Sequence, residues 1–433
     1  MKTLITNGTV YTDGALTQQD IFIVDDKIQA IGQALSRFIT ADATIDASGL
    51  LVTPGLIDGH VHYREPGQTE KENIHTGSRA AAHGGFTTVC AMPNTTPTPD
   101  TPERIVDMVR RNQQTGIIHI QQYGTLTHGL DSEELVDFAA LKDSGAFAFS
   151  NDGSGVQTAG TMYDAMVEIA KMGTFLAAHV QDNSLSRNGV MTAGNRQREL
   201  HLSGQLPESE TSQLARDLML AEATGVHYHV CHVSTKASLD LIRWAKERDI
   251  HVTCEVTPHH LLFNDEDVQT DNPLLKMNPP LRSRADQEAL LTGLLDGTID
   301  CIATDHAPHT AFEKAGSMQD AAFGIIGSDF AFAVLYTHLV QTGKLPLDLL
   351  IEKMTTGAAT TFHLPQIGRI TPGYQADLAL FDLNQSWTIS RQTIASKAMN
   401  TPHLGERVNG LTMQTIVSGQ TVYTEANGFT EKE

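Results

Sequence analysis

Imidazole and carboxylate side chains follow several apolar stretches of this sequence, in a pattern that could bind a divalent metal ion. His60 and His62 are two residues apart and follow the apolar stretch 50–57. In an extended strand such a pair points to one face, with Cα atoms roughly 6.5–7 Å apart. Both imidazoles could then reach one ion through N–metal bonds of about 2.0–2.1 Å. The spacing is weak evidence by itself, because His-x-His pairs also occur without a metal.

Four further candidate ligands stand in equivalent places. Each of them follows another apolar stretch: Asp152, His179, His232 and Asp305. Burying so many ionisable groups is costly unless they are paired or bind a cation. Imidazole and carboxylate donors without a thiolate suit zinc or another borderline divalent ion. Six ligands exceed the need of one catalytic zinc ion, so a carboxylate that bridges two ions about 3.5–4 Å apart would use them all.

These side chains need a scaffold that gathers the ends of many strands. Eight apolar stretches suited to buried parallel strands alternate with mostly helical patterns. Eight parallel strands close a barrel whose catalytic side chains lie at the carboxyl ends. An open doubly wound sheet is the alternative, but no glycine-rich phosphate-binding motif follows a strand. The predicted strands are 55–62, 86–93, 117–125, 146–152, 174–180, 228–234, 251–256 and 300–305.

Both ends of the chain are rich in short strand patterns. Residues 1–53 and 366–433 contain turn signals such as Asn7-Gly8 and Ser418-Gly419 between these patterns. We therefore predict an α/β fold in which one small β domain is built from 1–53 and 366–433. A (β/α)8 barrel of the TIM type, residues 54–365, is inserted between its two parts.

Composition limits the partners. The 433 residues carry a formal net charge of −21 and no basic run, which argues against nucleic acid. The sequence opens without a signal-peptide pattern and has no apolar run of membrane-spanning length, so a cytoplasmic protein without a membrane partner is expected. The four cysteines lie in apolar runs and are expected to be buried, reduced thiols. Several histidines at strand starts, including His227 and His251, are interpreted as structural.

Several motifs together resemble the amidohydrolase superfamily. They are PGLIDGHVHYREPG, GGFTTVCAMPNT, AFSNDGSGV, HVCHVST, EVTPHHLL, KMNPPLR and ATDHAPH. The sequence is most similar to dihydroorotases of the bacterial type I class, over nearly the whole chain. The resemblance implies a barrel with a small β-sandwich, and reversible closure of N-carbamoyl-L-aspartate to L-dihydroorotate in pyrimidine biosynthesis.

The resemblance also implies roles for individual residues. His60, His62 and Asp305 would hold one zinc ion, His179 and His232 a second, and Asp152 would bridge them, with one or two ions per subunit. Asp305 would act as general base and then general acid. Arg64 would clamp the substrate carboxylate. The other substrate contacts would be His62, Asn94, Asn278, His309, Phe323 and Gly324.

Alternatives stay open at the level of sequence. An allantoinase or hydantoinase would keep the same superfamily and act on a different ring. An inactive relative that serves as a structural partner of aspartate transcarbamoylase would lack metal ligands, whereas all six are present here. A homodimer is expected, and a complex with aspartate transcarbamoylase is a further possibility. The polar segment 310–322 could be a solvated loop or a mobile lid over the substrate.

Overall fold

The larger part of the protein is a closed barrel of eight parallel strands. The computed structural model describes residues 1–430, and the last three residues of the predicted segment 366–433 lie outside this description. Every predicted barrel strand is present, so the predicted fold class is confirmed. The barrel strands, called first to eighth below, are Leu56–Val61, Phe86–Ala91, His119–Gln122, Phe149–Ser150, Phe175–Ala178, His227–Val230, Val252–Val256 and Cys301–Ile302.

Two isolated bridges close the barrel. The first three strands pair with one another, and so do the fourth to the eighth. Gly124 bridges to Phe149 between the third and fourth strands, and Val61 bridges to His306 between the first strand and the segment after the eighth. The open-sheet alternative is therefore excluded.

Helices cover the outside of the barrel and connect its strands. The helix Pro102–Thr115 shows how the sequence sets their limits: Thr101 stands at the N-cap, Pro102 at the first position, and Ile105 and Met108 are buried. The α-helices are Ile74–His83, Pro102–Thr115, Phe138–Asp143, Ala159–Lys171, Asn183–Ser186, Asn195–Glu199, Glu208–Thr224, Lys236–Glu247, Pro258–Leu262, Arg284–Leu295, Ala331–Leu335, Leu347–Met354 and Thr356–Thr361. Short 3-10 helices are Leu35–Arg37, Asp265–Asp267 and Pro273–Leu275, a π-helix is Tyr336–Val340, and a small separate pair of strands is Met191–Thr192 with Gly204–Gln205.

Strands from both ends of the chain form a second, nine-stranded sheet. Leu51–Pro54 lies at its centre, where it pairs in parallel with Lys2–Thr12 and antiparallel with Leu378–Thr388. This sheet has an apolar core of its own, which includes Ile5, Val52 and Leu380. Its strands are Lys2–Thr12, Ala15–Val24, Lys27–Gly32, Ala43–Asp46, Leu51–Pro54, Leu378–Thr388, Arg407–Val417, Gln420–Thr424 and Gly428–Phe429.

The cysteines and the helices bear on two expectations drawn from composition. All four cysteines are free and buried, as predicted. Within residues 1–430, no helix combines the length and the apolar character needed to cross a membrane.

The barrel interior is packed so closely that one strand position admits only glycine. A Cβ atom on Gly59 would lie 2.0 Å from Cζ of the buried Phe362. We expect Gly59→Ala to lower the free energy of unfolding by about 1–3 kcal/mol, the usual cost of overpacking a core. Urea denaturation followed by circular dichroism measures this loss, and adding Phe362→Leu should recover part of it. Gly160→Ala is the control, because nothing lies within 4 Å of its added Cβ; an equal loss there would contradict the packing argument.

Candidate metal centre and substrate cavity

The carboxyl ends of the barrel strands bring all six predicted ligands into one buried cluster with Asp152 at its centre. His60 belongs to the first strand and His62 follows it, whereas the other four follow the fourth, fifth, sixth and eighth strands. The distances from Asp152 Oδ1 are 3.3 Å to His60 Nε2, 3.5 Å to His232 Nε2 and 3.6 Å to His179 Nδ1, and Asp152 Oδ2 is 3.4 Å from His62 Nε2.

Asp152 therefore contacts histidines of both predicted ligand groups, with Oδ1 close to His60, His179 and His232 and Oδ2 close to His62. On one side, Asp305 Oδ1 lies 3.0 Å from His62 Nε2 and 3.6 Å from His60 Nε2. On the other side, His179 Nδ1 and His232 Nε2 are 3.0 Å apart. Single donor atoms of His60, His62 and Asp305 lie within 4.8 Å of one another, and the same holds for His60, Asp152 and His232. A carboxylate between two donor groups is the arrangement that a bridging ligand requires.

The electrostatics of the cluster favour bound positive charge. Burial acts to raise the pKa of Asp152, but the charge of His60 and the nearby rings of His179 and His232 outweigh it and hold that pKa well below its ordinary value. Burial also acts to raise the pKa of Asp305, yet the hydrogen bond with His62 and the charge of His60 lower it to about 2. Both carboxylates are thus ionised at neutral pH. The buried anions need positive charge beside them, which the protonated His60 ring supplies here and a bound metal ion would supply in its place.

The donor atoms present fit a divalent metal ion. His60 Nε2 and Asp152 Oδ1 are buried and have no hydrogen-bond partner among the described residues. An unpartnered buried polar atom is costly, and a metal ion would satisfy both of these atoms at once. Nitrogen and carboxylate oxygen donors match zinc and other borderline divalent ions. The chemistry of the residues therefore supports a metal at this place and leaves its identity open.

The backbone holds three residues of the site in an unusual conformation. The φ angles of Arg64, His232 and Asp305 are +60°, +32° and +48°, in the left-handed region that side chains with a Cβ rarely adopt. Such strain costs about 1–3 kcal/mol per residue and is concentrated at functional sites. The three residues follow the first, sixth and eighth barrel strands, at the end of the barrel where the cluster lies.

A cavity of about 210 Å³ opens beside the cluster. This volume suits a ligand smaller than a typical drug molecule. Five of the six predicted ligands contribute to its wall, and the sixth, His60, is fully buried. The remaining predicted substrate contacts also line this cavity: Arg64, Asn94, Asn278, His309, Phe323 and Gly324.

Arg64 provides a buried positive charge in this cavity. Its Nε donates to the carbonyl of Pro308 at 3.2 Å and its Nη2 donates to His309 Nε2 at 3.3 Å. The other N–H groups of its five-donor fork can serve a ligand. Burial lowers the pKa of Arg64 only to about 10, so the guanidinium stays charged at neutral pH. Burial and the charge of Arg64 lower the pKa of His309 to about 3, which keeps that imidazole an acceptor for Arg64.

Asn400, from the C-terminal part of the chain, supports this wall. Its Oδ1 accepts from the backbone N–H of His309 at 3.0 Å, and its Nδ2 donates to the carbonyls of Ala307 and Gly324. The backbone N–H of Gly324 donates to the carbonyl of Lys276 at 3.1 Å. Gly324 therefore shapes the wall while its own backbone N–H is engaged within the protein.

Segment 310–322 is attached to the same wall. Lys314 is 7% exposed, and its Nζ donates to three carbonyls, those of Lys276, Ala322 and Gly324, at 2.8–3.1 Å. Lys71 pairs with Glu313 at 2.7 Å. These contacts fasten the segment to the cavity wall in this structure.

Two buried carboxylates that support the cluster were missed by the sequence analysis. Glu255 Oε1 lies 2.7 Å from His60 Nδ1, and its Oε2 lies 3.1 Å from His229 Nε2. Asp58 accepts from the backbone N–H groups of His60 and Thr304. Both residues lie inside predicted strands, and a charged residue inside a buried apolar stretch is the signal that could have identified them.

Glu255 should set the orientation of His60. Its carboxylate accepts the Nδ1 proton, which leaves the lone pair of Nε2 directed at the cluster. We expect Glu255→Gln to weaken metal binding about 10- to 100-fold, the usual effect of removing such a partner. Competition with a fluorescent chelator measures the change. Glu247→Gln, on an exposed helix end, is the control, and unchanged affinity in Glu255→Gln would contradict the assignment.

Comparisons with known proteins agree with this geometry. A family model described as dihydro-orotase-like matches residues 49–238, and one described as amidohydrolase family matches residues 266–423. The chain is 57% identical to the dihydroorotase of Ligilactobacillus salivarius over 98% of its own length and 99% of that protein. It is also 57% identical to the dihydroorotase of Lactiplantibacillus plantarum, with the same coverage.

Solved structures support the fold. The L-hydantoinase (dihydropyrimidinase) of Arthrobacter aurescens superimposes with a TM-score of 0.90 at 26% identity, over 99% of this chain and 97% of that chain. The D-hydantoinase (dihydropyrimidinase) of a Thermus species gives a TM-score of 0.86 at 25% identity, over 99% and 97%. Together with its full-length relatives, these similarities show that the chain belongs to the dihydroorotase family of amidohydrolase enzymes.

Proposed function

We propose that this enzyme interconverts N-carbamoyl-L-aspartate and L-dihydroorotate at the cavity beside Asp152, with zinc as its metal. The observation that supports this most directly is the position of Arg64, a buried cation in the same cavity as five of the six ligand candidates. Both the linear and the cyclic compound carry a carboxylate that takes no part in the reaction. In a protein of net charge −21, a local guanidinium is what an anionic substrate needs.

The six clustered side chains would hold the metal. His60, His62 and Asp305 would bind one ion, His179 and His232 a second, and Asp152 would stand between them. When bound, zinc supplies Lewis acidity, which polarises a carbonyl and lets water lose a proton near neutral pH. The chain itself provides the orientation of these ligands, through Glu255 behind His60 and Asn94 Oδ1 at 2.7 Å from His62 Nδ1.

Asp305 would move the proton. In ring opening, its carboxylate takes a proton from the attacking water, the C–O bond forms, and the ring C–N bond breaks. Asp305 then gives that proton to the leaving ring nitrogen. In ring closure, Asp305 takes the proton from the ureido nitrogen as this nitrogen attacks the carboxyl carbon. Asp305 then returns that proton to the departing carboxyl oxygen as the C–O bond breaks, and one further proton from solvent lets this oxygen leave as water. The pKa of about 2 keeps Asp305 ionised and ready to accept at neutral pH.

Polar groups around the cavity would fix the substrate. The guanidinium fork of Arg64 suits the substrate carboxylate better than an ammonium group would. Asn94, Asn278 and His309 would complete the contacts of the ring and its carboxylate, and Phe323 and Gly324 would close one side of the ring.

The first experiment is to follow L-dihydroorotate by its ring-amide absorbance with the purified enzyme and to measure metal on the same sample. We expect turnover with one or two zinc ions per chain. Removing the metal with a chelator should abolish turnover, and adding zinc should restore it. Dihydrouracil, hydantoin and allantoin form the comparison panel, because structural neighbours of this chain carry the names hydantoinase and dihydropyrimidinase.

Each outcome discriminates between the proposals. Preference for dihydroorotate over the uncharged rings supports the role of Arg64. Bound metal with turnover of an uncharged ring would replace the proposed substrate and keep the metal centre. Neither metal nor turnover after zinc is added back would contradict the catalytic proposal and favour a partner role.

Assembly and location are further parts of the proposal. We propose a homodimer, in line with the prevalence of twofold assemblies among soluble enzymes, and a cytoplasmic location. Association with aspartate transcarbamoylase would bring the preceding step close to this site. Sedimentation velocity of the enzyme alone and with purified aspartate transcarbamoylase tests both assemblies, and a monomer unaffected by the second protein would refute them.

A further inference from the structure

Three histidines meet at the end of the barrel opposite the catalytic cavity. His227 begins the sixth strand, His251 directly precedes the seventh, and His363 follows the helix Thr356–Thr361. The rings of His227 and His251 stack with centroids 4.1 Å apart, and the centroid of His363 is 5.0 Å from that of His227. One nitrogen of each ring lies within 4.8 Å of one nitrogen of each of the others. We call these residues the three-histidine cluster.

A buried hydrogen-bond chain sets the tautomer of His227. Glu255 accepts a hydrogen bond from His229 Nε2, so the proton of the His229 ring is on Nε2. Its Nδ1 therefore has a lone pair, which accepts a hydrogen bond from the Thr253 hydroxyl at 2.8 Å. The Thr253 oxygen then accepts from His227 Nε2, also at 2.8 Å. His227 therefore carries its proton on Nε2 and a lone pair on Nδ1.

That lone pair is buried without a partner. His227 is 4% exposed, and its Nδ1 has no hydrogen bond among the described residues. An unpartnered buried acceptor is costly. Because Nε2 is hydrogen-bonded to Thr253, Nδ1 is the nitrogen of His227 that can bind a ligand together with the solvent-exposed imidazoles of His251 and His363.

Protons compete only weakly with a metal ion for the nitrogens of His227 and His251. Burial and the charges of neighbouring histidines lower the pKa of His227 to about 2. Burial and His363 also lower the pKa of His251. The imidazoles of His227 and His251 are therefore neutral at pH 7, which is the form that binds a metal ion. His251 and His363 are exposed, so an ion can enter from solvent.

We propose that the three-histidine cluster is a second metal site, which binds a borderline divalent ion such as zinc. A metal–nitrogen bond lies in the plane of the imidazole, so the exposed His251 ring, now stacked on His227, would turn to direct its lone pair to the ion. Three imidazole nitrogens then supply three protein ligands, and the open solvent side a fourth position for water. The site is separate from the catalytic cavity. His227 and His232 mark opposite ends of the sixth strand, and five residues at roughly 3.3 Å per residue place them about 16 Å apart along it.

Zinc titration of the zinc-loaded enzyme tests this proposal. The enzyme is saturated with zinc and desalted, so that the catalytic ligands are occupied, and isothermal titration calorimetry at pH 7.5 then measures additional binding. The test variant is His251→Ala with His363→Asn. Both positions are exposed, and asparagine tolerates the φ of +52° at residue 363. His201→Asn is the matched control, since His201 is exposed, has a φ of +56° and lies outside the cluster.

We expect the wild-type enzyme and His201→Asn to bind an additional equivalent of zinc and the double variant to lose it. Dihydroorotate turnover should be the same in all three proteins, because these histidines lie outside the catalytic cavity. Zinc anomalous scattering from crystals should show the additional ion between the three rings. The proposal is overturned if wild type binds no additional zinc, or if the double variant binds as much as wild type.

Discussion

Replacing Asp305 with asparagine is expected to lower kcat for ring opening of dihydroorotate by about 10²- to 10⁴-fold, the usual contribution of a positioned general base. Asparagine has nearly the same shape but cannot accept the proton of the attacking water. The carboxylate also lies among the metal-ligand candidates, 3.0 Å from His62 Nε2. Steady-state kinetics and zinc content must therefore be measured on the same preparation, so that loss of proton transfer is distinguished from loss of metal.

A matched aspartate lies just before the same barrel strand, at its other end. Asp300 pairs with Lys246 at 2.8 Å and lies away from the cavity. Asp300→Asn should change the free energy of unfolding and leave kcat near that of wild type. Equal kcat in wild type and Asp305→Asn, with zinc retained, would remove Asp305 from the mechanism.

Replacing Arg64 with glutamine should separate anionic from uncharged substrates. Truncating one partner of a buried charged contact costs about 2–5 kcal/mol, so kcat/KM for dihydroorotate should fall about 30- to 4,000-fold. Dihydrouracil has the same ring without the carboxylate, and we expect its kcat/KM to be hardly changed by the substitution. The measured quantity is the ratio of the two kcat/KM values, which a general loss of folding or metal would leave unaltered.

Arg64→Lys refines this test. Lysine keeps the positive charge but lacks the planar fork that donates to Pro308 and His309 in this structure. We expect a kcat/KM for dihydroorotate between those of wild type and Arg64→Gln. If both variants keep the wild-type ratio, the substrate carboxylate binds elsewhere in the cavity.

Regular features of the barrel could be predicted from sequence. Apolar stretches of strand length alternate with helical patterns, which indicates the barrel. Side chains at the carboxyl ends of its strands share one mouth, and this rule alone predicts that His60, Asp152 and Asp305 lie together. The rule works because strand direction is the same throughout a parallel barrel. It needs no knowledge of individual contacts.

Supporting contacts could not be predicted in this way. Glu255 reaches His60 across 195 residues, and Asn400 reaches His309 across 91. Strand periodicity shows which face a side chain occupies but not which distant partner stands opposite. The contact of His363 with His227 and His251 had the same limit, because His363 lies more than 100 residues later in the chain.

The central position of Leu51–Pro54 in the nine-stranded sheet has a consequence for synthesis on the ribosome. Thr53 pairs with Ala379, and 326 residues of chain separate them. At about 5–20 residues per second, roughly 15–65 s pass between translation of the two. During that time one edge of the N-terminal strands has no partner, and the nascent chain exposes backbone groups that could pair with other chains. The N-terminal strands therefore complete their sheet only after the end of the chain has emerged.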